Sequence, residues 1–228
     1  MIGGHALQLS LDHPLVSSVT VVGRRTVDVT HAKLSEVLHD DFSDCTDIRE
    51  ALTGQDIALY CIGVYTGSVP ADRFREITVD YTVAFADVLH AQSPQAAFCF
   101  LSGGGADQSE TSRMAFARHK GAAEKALLAQ GFARMHIFRP GYIYPVIPRD
   151  EPNISYRVSR TLYPVLRRVL PNQVITSENL ARAMLHAGLY GTGEHKEPIL
   201  ENRDIRALAQ TARDARSLLR KVSERSSR

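Results

Sequence analysis

Arg24 and Arg25 stand side by side after Gly23, with no carboxylate near them until Asp28. Paired guanidinium groups at a turn are a phosphate-binding device, often bidentate. Two arginines exposed on a solvated turn are the plainer alternative. Arg24 falls 21 residues after Gly3, which lies at the head of an amphipathic helical stretch, 2–11, with Ile2, Ala6 and Leu9 in register. A glycine turn running into a helix N-terminus leaves free amide N–H groups that hold phosphate oxygens. Other chemistries lack their residues. There is no GxSxG elbow, HExxH, P-loop or metal-spaced cluster among the nine histidines, so no metal ligand is assigned. Cys45, Cys61 and Cys99 are odd in number and form no CxxC pair, which disfavours a disulfide framework or a zinc site.

The elements that must carry these residues follow from periodicity. Short apolar runs at 19–22, 57–61, 96–101 and 134–138, with a weaker one at 34–38, read as strands. Helical patterns lie between them at 72–92 and 112–130, with a short one at 45–52. Strands buried on both faces and separated by helices imply an α/β fold with a parallel sheet. From Pro140 the rhythm changes, and six of the ten prolines fall between 140 and 171. Residues 141–176 are expected to be an irregular insert over the carboxyl edge of the sheet, where ligands sit in open α/β folds. A helix at 177–189 with Ser177 as N-cap, an edge strand at 197–200 and a terminal helix at 205–222 complete one domain, 1–228, with 202–228 as helix and tail.

The 228 residues are 44% hydrophobic, carry 27 Lys+Arg against 25 Asp+Glu, and contain no apolar run long enough to span a bilayer. A net charge of +2 gives no field calling for nucleic acid or an anionic membrane, and the basic residues of 205–222 are interleaved with acids as on a solvated face. The opening residues MIGGHALQLSLDHP lack the basic start and unbroken apolar run of a signal peptide, so a soluble cytoplasmic protein is expected. The formal sequon at Asn153 is then never glycosylated.

Read in order, Met1-Ile2-Gly3, SSVTVVGRR, HDDF, DIALYCIG, FLSGGGAD, FARHKGAAE and IFRPG resemble the atypical short-chain dehydrogenase/reductases over about residues 1–205. The subgroup with the nearest likeness is the Tat-interacting-protein/metastasis-suppressor type of NAD(P)H-binding proteins. The resemblance implies a Rossmann-like, doubly wound parallel sheet and a nicotinamide dinucleotide as cofactor. At the ribose position an acid accepts from a free 2′-hydroxyl and arginine pairs with a 2′-phosphate, so Arg24 and Arg25 favour NADP(H) over NAD(H). Gly3 would belong to the phosphate turn. Asp41 and Phe42 match the pair beside adenine, although Phe42 reads equally well as core packing. Cys61, Ile62 and Gly63, with Pro140 after the fifth recognised strand, would lie along the cofactor.

The family's catalytic set is a Ser after a strand and Tyr-x-x-x-Lys on one helix face. Here Ser102 and Lys120 hold their positions, but Phe116 replaces the Tyr and has no transferable proton. Loss of a general acid costs about 10²–10⁴-fold. His119 is turned about 100° from Lys120 on a helix and substitutes poorly; Tyr142 and Tyr144 are the other donors within the insert's reach. Ser102 reads as carbonyl ligand or plain loop hydroxyl. Lys120 reads as a cofactor ribose ligand or, less readily, a solvated helix lysine. Two functions therefore stay open: dinucleotide binding without turnover, as a sensor or protein-interaction module, or reduction of a small carbonyl compound with a non-standard donor.

The same resemblance places a strand and the first half of the glycine turn before Met1. In the order 3-2-1-4-5-6 that strand is central. Without it both neighbouring edges stay unpaired, at a loss of about ten ladder hydrogen bonds of roughly 1 kcal/mol each. The expectation is that Met1 is an internal residue of the turn; a degenerate N-terminus is the alternative.

Overall fold

The computed structural model describes residues 1–65, 67–147 and 154–226. In chain order the elements are α1 (Ile2–Leu11), β1 (Val19–Gly23), β2 (Leu34–Leu38), β3 (Ile57–Tyr60), α2 (Ala71–Arg75), α3 (Tyr81–Gln92), β4 (Ala97–Leu101), α4 (Ala115–Ala129), β5 (Arg134–Arg139), β6 (Tyr142–Tyr144), α5 (Ile154–Val169), β7 (Val174–Thr176), α6 (Ser177–Tyr190), β8 (Ile199–Glu201) and α7 (Asn202–Ser226). A single wide π-type turn, Glu76–Asp80, joins α2 to α3, and of the expected helix at 45–52 only a 3-10 turn, Thr46–Ile48, is formed.

All the strand pairs are parallel. Side chains of a strand alternate between faces, and that alternation separates two cores. Phe98, Phe100 and Ile137 enter one with Phe85 and Leu89 of α3 and Leu127 of α4. Cys99 and Phe138 enter the other with Ile2 and Ala6 of α1, Leu180 and Met184 of α6 and Ile205 of α7. Phe98, Cys99, Phe100, Ile137 and Phe138 are wholly buried, so this is a sheet covered by helices on both faces, as the apolar runs require.

The sheet is divided. Four strands run in the order β3-β4-β5-β8, while β1 and β2 form a separate pair. In a parallel ladder a residue directs both backbone groups to one side. The Val19 N–H donates to the Lys33 carbonyl, and the Gly23 carbonyl takes the His39 N–H, so Val19 and Gly23 face β2 while Thr20 and Val22 face the other edge. On β3 the Asp56 carbonyl takes the Ala97 N–H, which leaves Ile57 and Leu59 facing away from β4. Among the described residues no strand pairs with either of these edges. Helix α1 packs on both β1 and β3, while Val22 of β1 and Ala58 of β3 both lie against the core beneath α3 and α4.

Two sequence expectations are corrected. The insert 141–176 is not irregular: β6 and β7 pair with each other and α5 lies between them; Pro148 and its neighbours up to 153 lie outside the described residues. Its seat is fixed by Asn202, which accepts the Gly141 N–H at 2.9 Å and donates to the Val174 carbonyl at 3.2 Å. The N-cap of α6 is Thr176, whose hydroxyl accepts from the Asn179 N–H, whereas Ser177 is a buried first-turn residue linked to His5 at 3.1 Å. Extended backbone at 176, continuing β7, moved the cap one residue earlier than composition suggested. None of the described helices is long and apolar enough to cross a membrane.

Candidate functional site

The carboxyl ends of β3, β4 and β5 open onto three short turns, Cys61-Ile62-Gly63, Ser102-Gly103-Gly104 and Pro140-Gly141. The last two continue the β4–β5 ladder beyond the strands: Ser102 N–H donates to the Phe138 carbonyl at 2.9 Å and Gly104 N–H to the Pro140 carbonyl at 2.8 Å. A Cβ on residue 104 would stand 3.1 Å from that Pro140 oxygen, so glycine lets the two turns touch.

Helix α4 carries Phe116 and Lys120 to this edge. Its fit depends on Gly121, where a side chain would collide with the backbone of Asp107. Lys120 is buried; its ammonium donates to the Leu101 carbonyl at 2.9 Å and lies 4.8 Å from the centre of the Phe100 ring. Burial pulls its pKa down to about 8, against the opposing charge of Glu124. The Phe116 ring points its para edge at the backbone of Gly103; both meta carbons would come within 3.2 and 3.4 Å of a Cβ there. Lys120 and Phe116 thus touch Leu101 and Gly103, the residues on either side of Ser102. His119 packs against Phe74, with its imidazole pKa lowered by burial, and Tyr144 is stacked on Tyr163 at 3.9 Å.

Glu124 was not anticipated from the sequence, and it organises this corner. Its carboxylate is wholly buried and receives four donors: Ser102 Oγ at 2.5 Å and Arg139 Nε at 2.9 Å on one oxygen, Gln108 Nε2 at 2.9 Å and an Arg139 guanidinium N–H at 2.5 Å on the other. Arg139 also reaches Glu201 at 3.2 Å. The available signal was its place one turn after Lys120, on the face that α4 turns inward.

The N-terminal half of the site is α1. Its first turn has no side-chain cap and no acid, so among the described residues its leading amide N–H groups are open to an anion. A Cβ on Gly3 would stand 3.7 Å from Cys61 Cβ, which brings α1 against the end of β3. Burial pushes the Cys61 thiol up to about 12 even though the Met1 amine and Lys120 favour its thiolate, so it is no nucleophile at neutral pH. Arg24 and Arg25 are exposed at the end of β1 and, among the described residues, form no ion pair. Asp41 is exposed and held below the ordinary carboxylate range by the hydroxyl and N–H of Ser43. Phe42 is buried in the core between His39 and Tyr81, so its ring serves packing.

A parallel sheet between two helical layers, with glycine turns and a helix N-terminus converging on its carboxyl edge, defines a Rossmann-like dinucleotide fold. Solved structures share it. The UDP-glucuronic acid 4-epimerase from Bacillus cereus in complex with NAD superposes with a TM-score of 0.60 at 13% identity, covering 82% of this chain and 70% of that one. The UDP-glucose 4-epimerase from Thermotoga maritima gives 0.62 at 14%, covering 92% and 79%. At the sequence level, Protein HTATIP2 of Rattus norvegicus is 27% identical over 198 residues, 86% of this chain and 79% of that protein. Protein fmp52, mitochondrial, of Aspergillus clavatus is 31% identical over 149 residues, 63% of this chain and 62% of that protein. No family model matches the chain. The chain thus shares the Rossmann-like fold of these solved structures and resembles the atypical short-chain dehydrogenase/reductases in sequence.

Proposed function

We propose that the chain binds a nicotinamide dinucleotide, NADP(H) in preference to NAD(H), and holds it without turnover as a redox-responsive binding or interaction module. The observation that carries this reading is Phe116: the ring at the proton-donor position abuts Gly103 beside Ser102 and has no hydroxyl to give. The fold neighbours include proteins described in complex with NAD, and the first turn of α1, uncapped and without acid, suits a pyrophosphate. Lys120 would hold the nicotinamide ribose, and Arg24 and Arg25 a 2′-phosphate. When bound, the dinucleotide supplies a hydride. The name of the fungal relatives attaches them to mitochondria, so the relatives lend no support to a cytoplasmic location.

A reductase with a non-standard donor is the second reading, favoured by the retained Ser102 and Lys120. A screen of small carbonyl compounds against NADPH, run on the wild type and on Phe116→Tyr, separates the two. Binding without oxidation in the wild type, with a gain on the order of 10²-fold or more in Phe116→Tyr, supports the first. NADPH oxidation by the wild type at a rate that Phe116→Tyr does not raise replaces it with the second.

A further inference from the structure

The geometry points to Glu124 as a positioning residue that makes Ser102 a hydrogen-bond acceptor, so that the ligand group seated beside Ser102 is a donor, a hydroxyl or a primary amide, rather than a carbonyl oxygen. A carboxylate has about four lone-pair sites, and those of Glu124 meet four donors, two on each oxygen. A serine has one proton. That proton lies in a 2.5 Å bond to a wholly buried oxygen, in the short range of charge-assisted O–H donors. Turning it outward would leave a buried acceptor short of its partner and break the closed set that includes Gln108 and Arg139. What Ser102 offers a ligand is therefore its lone pairs. A carbonyl oxygen at that point would meet an acceptor, while an O–H or N–H group would be satisfied.

This rests on the dinucleotide reading above and deepens it, because two sources can supply the donor: the carboxamide of the nicotinamide ring, or the hydroxyl of a small alcohol bound beside it. Two matched pairs distinguish them. NADPH is compared with its 3-acetylpyridine analogue, which carries a methyl ketone in place of the amide. Propan-2-ol is compared with acetone on the NADP⁺-saturated chain by saturation-transfer NMR. Each is measured on the wild type, Ser102→Ala and Glu124→Gln. The expected result is a preference of about tenfold or more for the donor member of one pair, since a site built around a hydrogen bond rejects the analogue that cannot make it. Ser102→Ala, which leaves the Arg139–Glu124 pair intact, should remove that preference. Glu124→Gln should narrow it, because a carboxamide offers a single acceptor atom and the Arg139 guanidinium outcompetes the serine for it. The pair that discriminates identifies the source. Equal binding within both pairs, or a preference that survives Ser102→Ala, overturns the inference and leaves the dinucleotide reading standing. Failure of both dinucleotides to bind overturns that reading, and this inference with it.

Discussion

Lys120 is the least comfortable charge in the cleft, because burial lowers its pKa from 10.5 to about 8. As the folded value lies below the unfolded one, the unfolded chain binds more protons between them, and stability on this account rises with pH from about 8 to about 10.5. Below about 8 the penalty for burying the ammonium is fully present. Lys120→Met is therefore expected to raise Tm at pH 7, with the gain over the wild type shrinking towards pH 10.5, and to weaken dinucleotide binding. Thermal melts across that pH range check the first part; a gain that does not depend on pH would contradict it. If Lys120 holds the ribose as proposed, this is stability given up at a cofactor-binding position. Spacing along α4 was enough to bring Lys120 and Phe116 to the end of β4 from sequence alone. Neither spacing nor residue type revealed that the Ser102 proton is committed to Glu124, because Gln108 and Arg139 come from two other segments and meet only in the fold.

At the level of elements, β5 carries a second buried titratable group, His136, whose imidazole is pushed down to about 4 by burial. The unfolded chain takes up that proton first as pH falls from about 6.5, so stability is lost between about 6.5 and 4 and is unaffected above that window. His136→Leu should flatten the acid limb of a Tm-against-pH curve while leaving the neutral plateau in place, since among the described residues its Nε2 has no partner to lose. An unchanged acid limb would show that other groups govern it. The main strands were legible because continuous apolar runs bounded by glycine have few other uses in an α/β chain, and α1 was legible to the residue. The segment after Pro140 was not. Its proline content suggested irregular chain, yet Pro164 sits within α5, and the three-residue strands β6 and β7 are too short to show a period. The wide turn Glu76–Asp80 was likewise invisible, since the apolar spacing of one continuous helix covers it.

For the molecule as a whole, the divided sheet is the feature that most shapes the site. Helix α1 spans the gap between β1 and β3, holding its N-terminus against Cys61 while Arg24 and Arg25 project from the end of β1 on the far side. The first turn of α1 and the arginine pair are thereby set on opposite flanks of an interruption that no backbone ladder bridges among the described residues. Length and composition could not register this division. It lies between β1 and β3, whose open edges carry Thr20, Val22, Ile57 and Leu59. The central claim is that these two flanks together receive one dinucleotide. Calorimetric titration of the chain with NADPH and, separately, NADH tests it most directly. The account predicts saturable one-site binding with NADPH tighter by about tenfold or more, the value of a charge-assisted phosphate contact. Absence of saturable binding by either dinucleotide would contradict it.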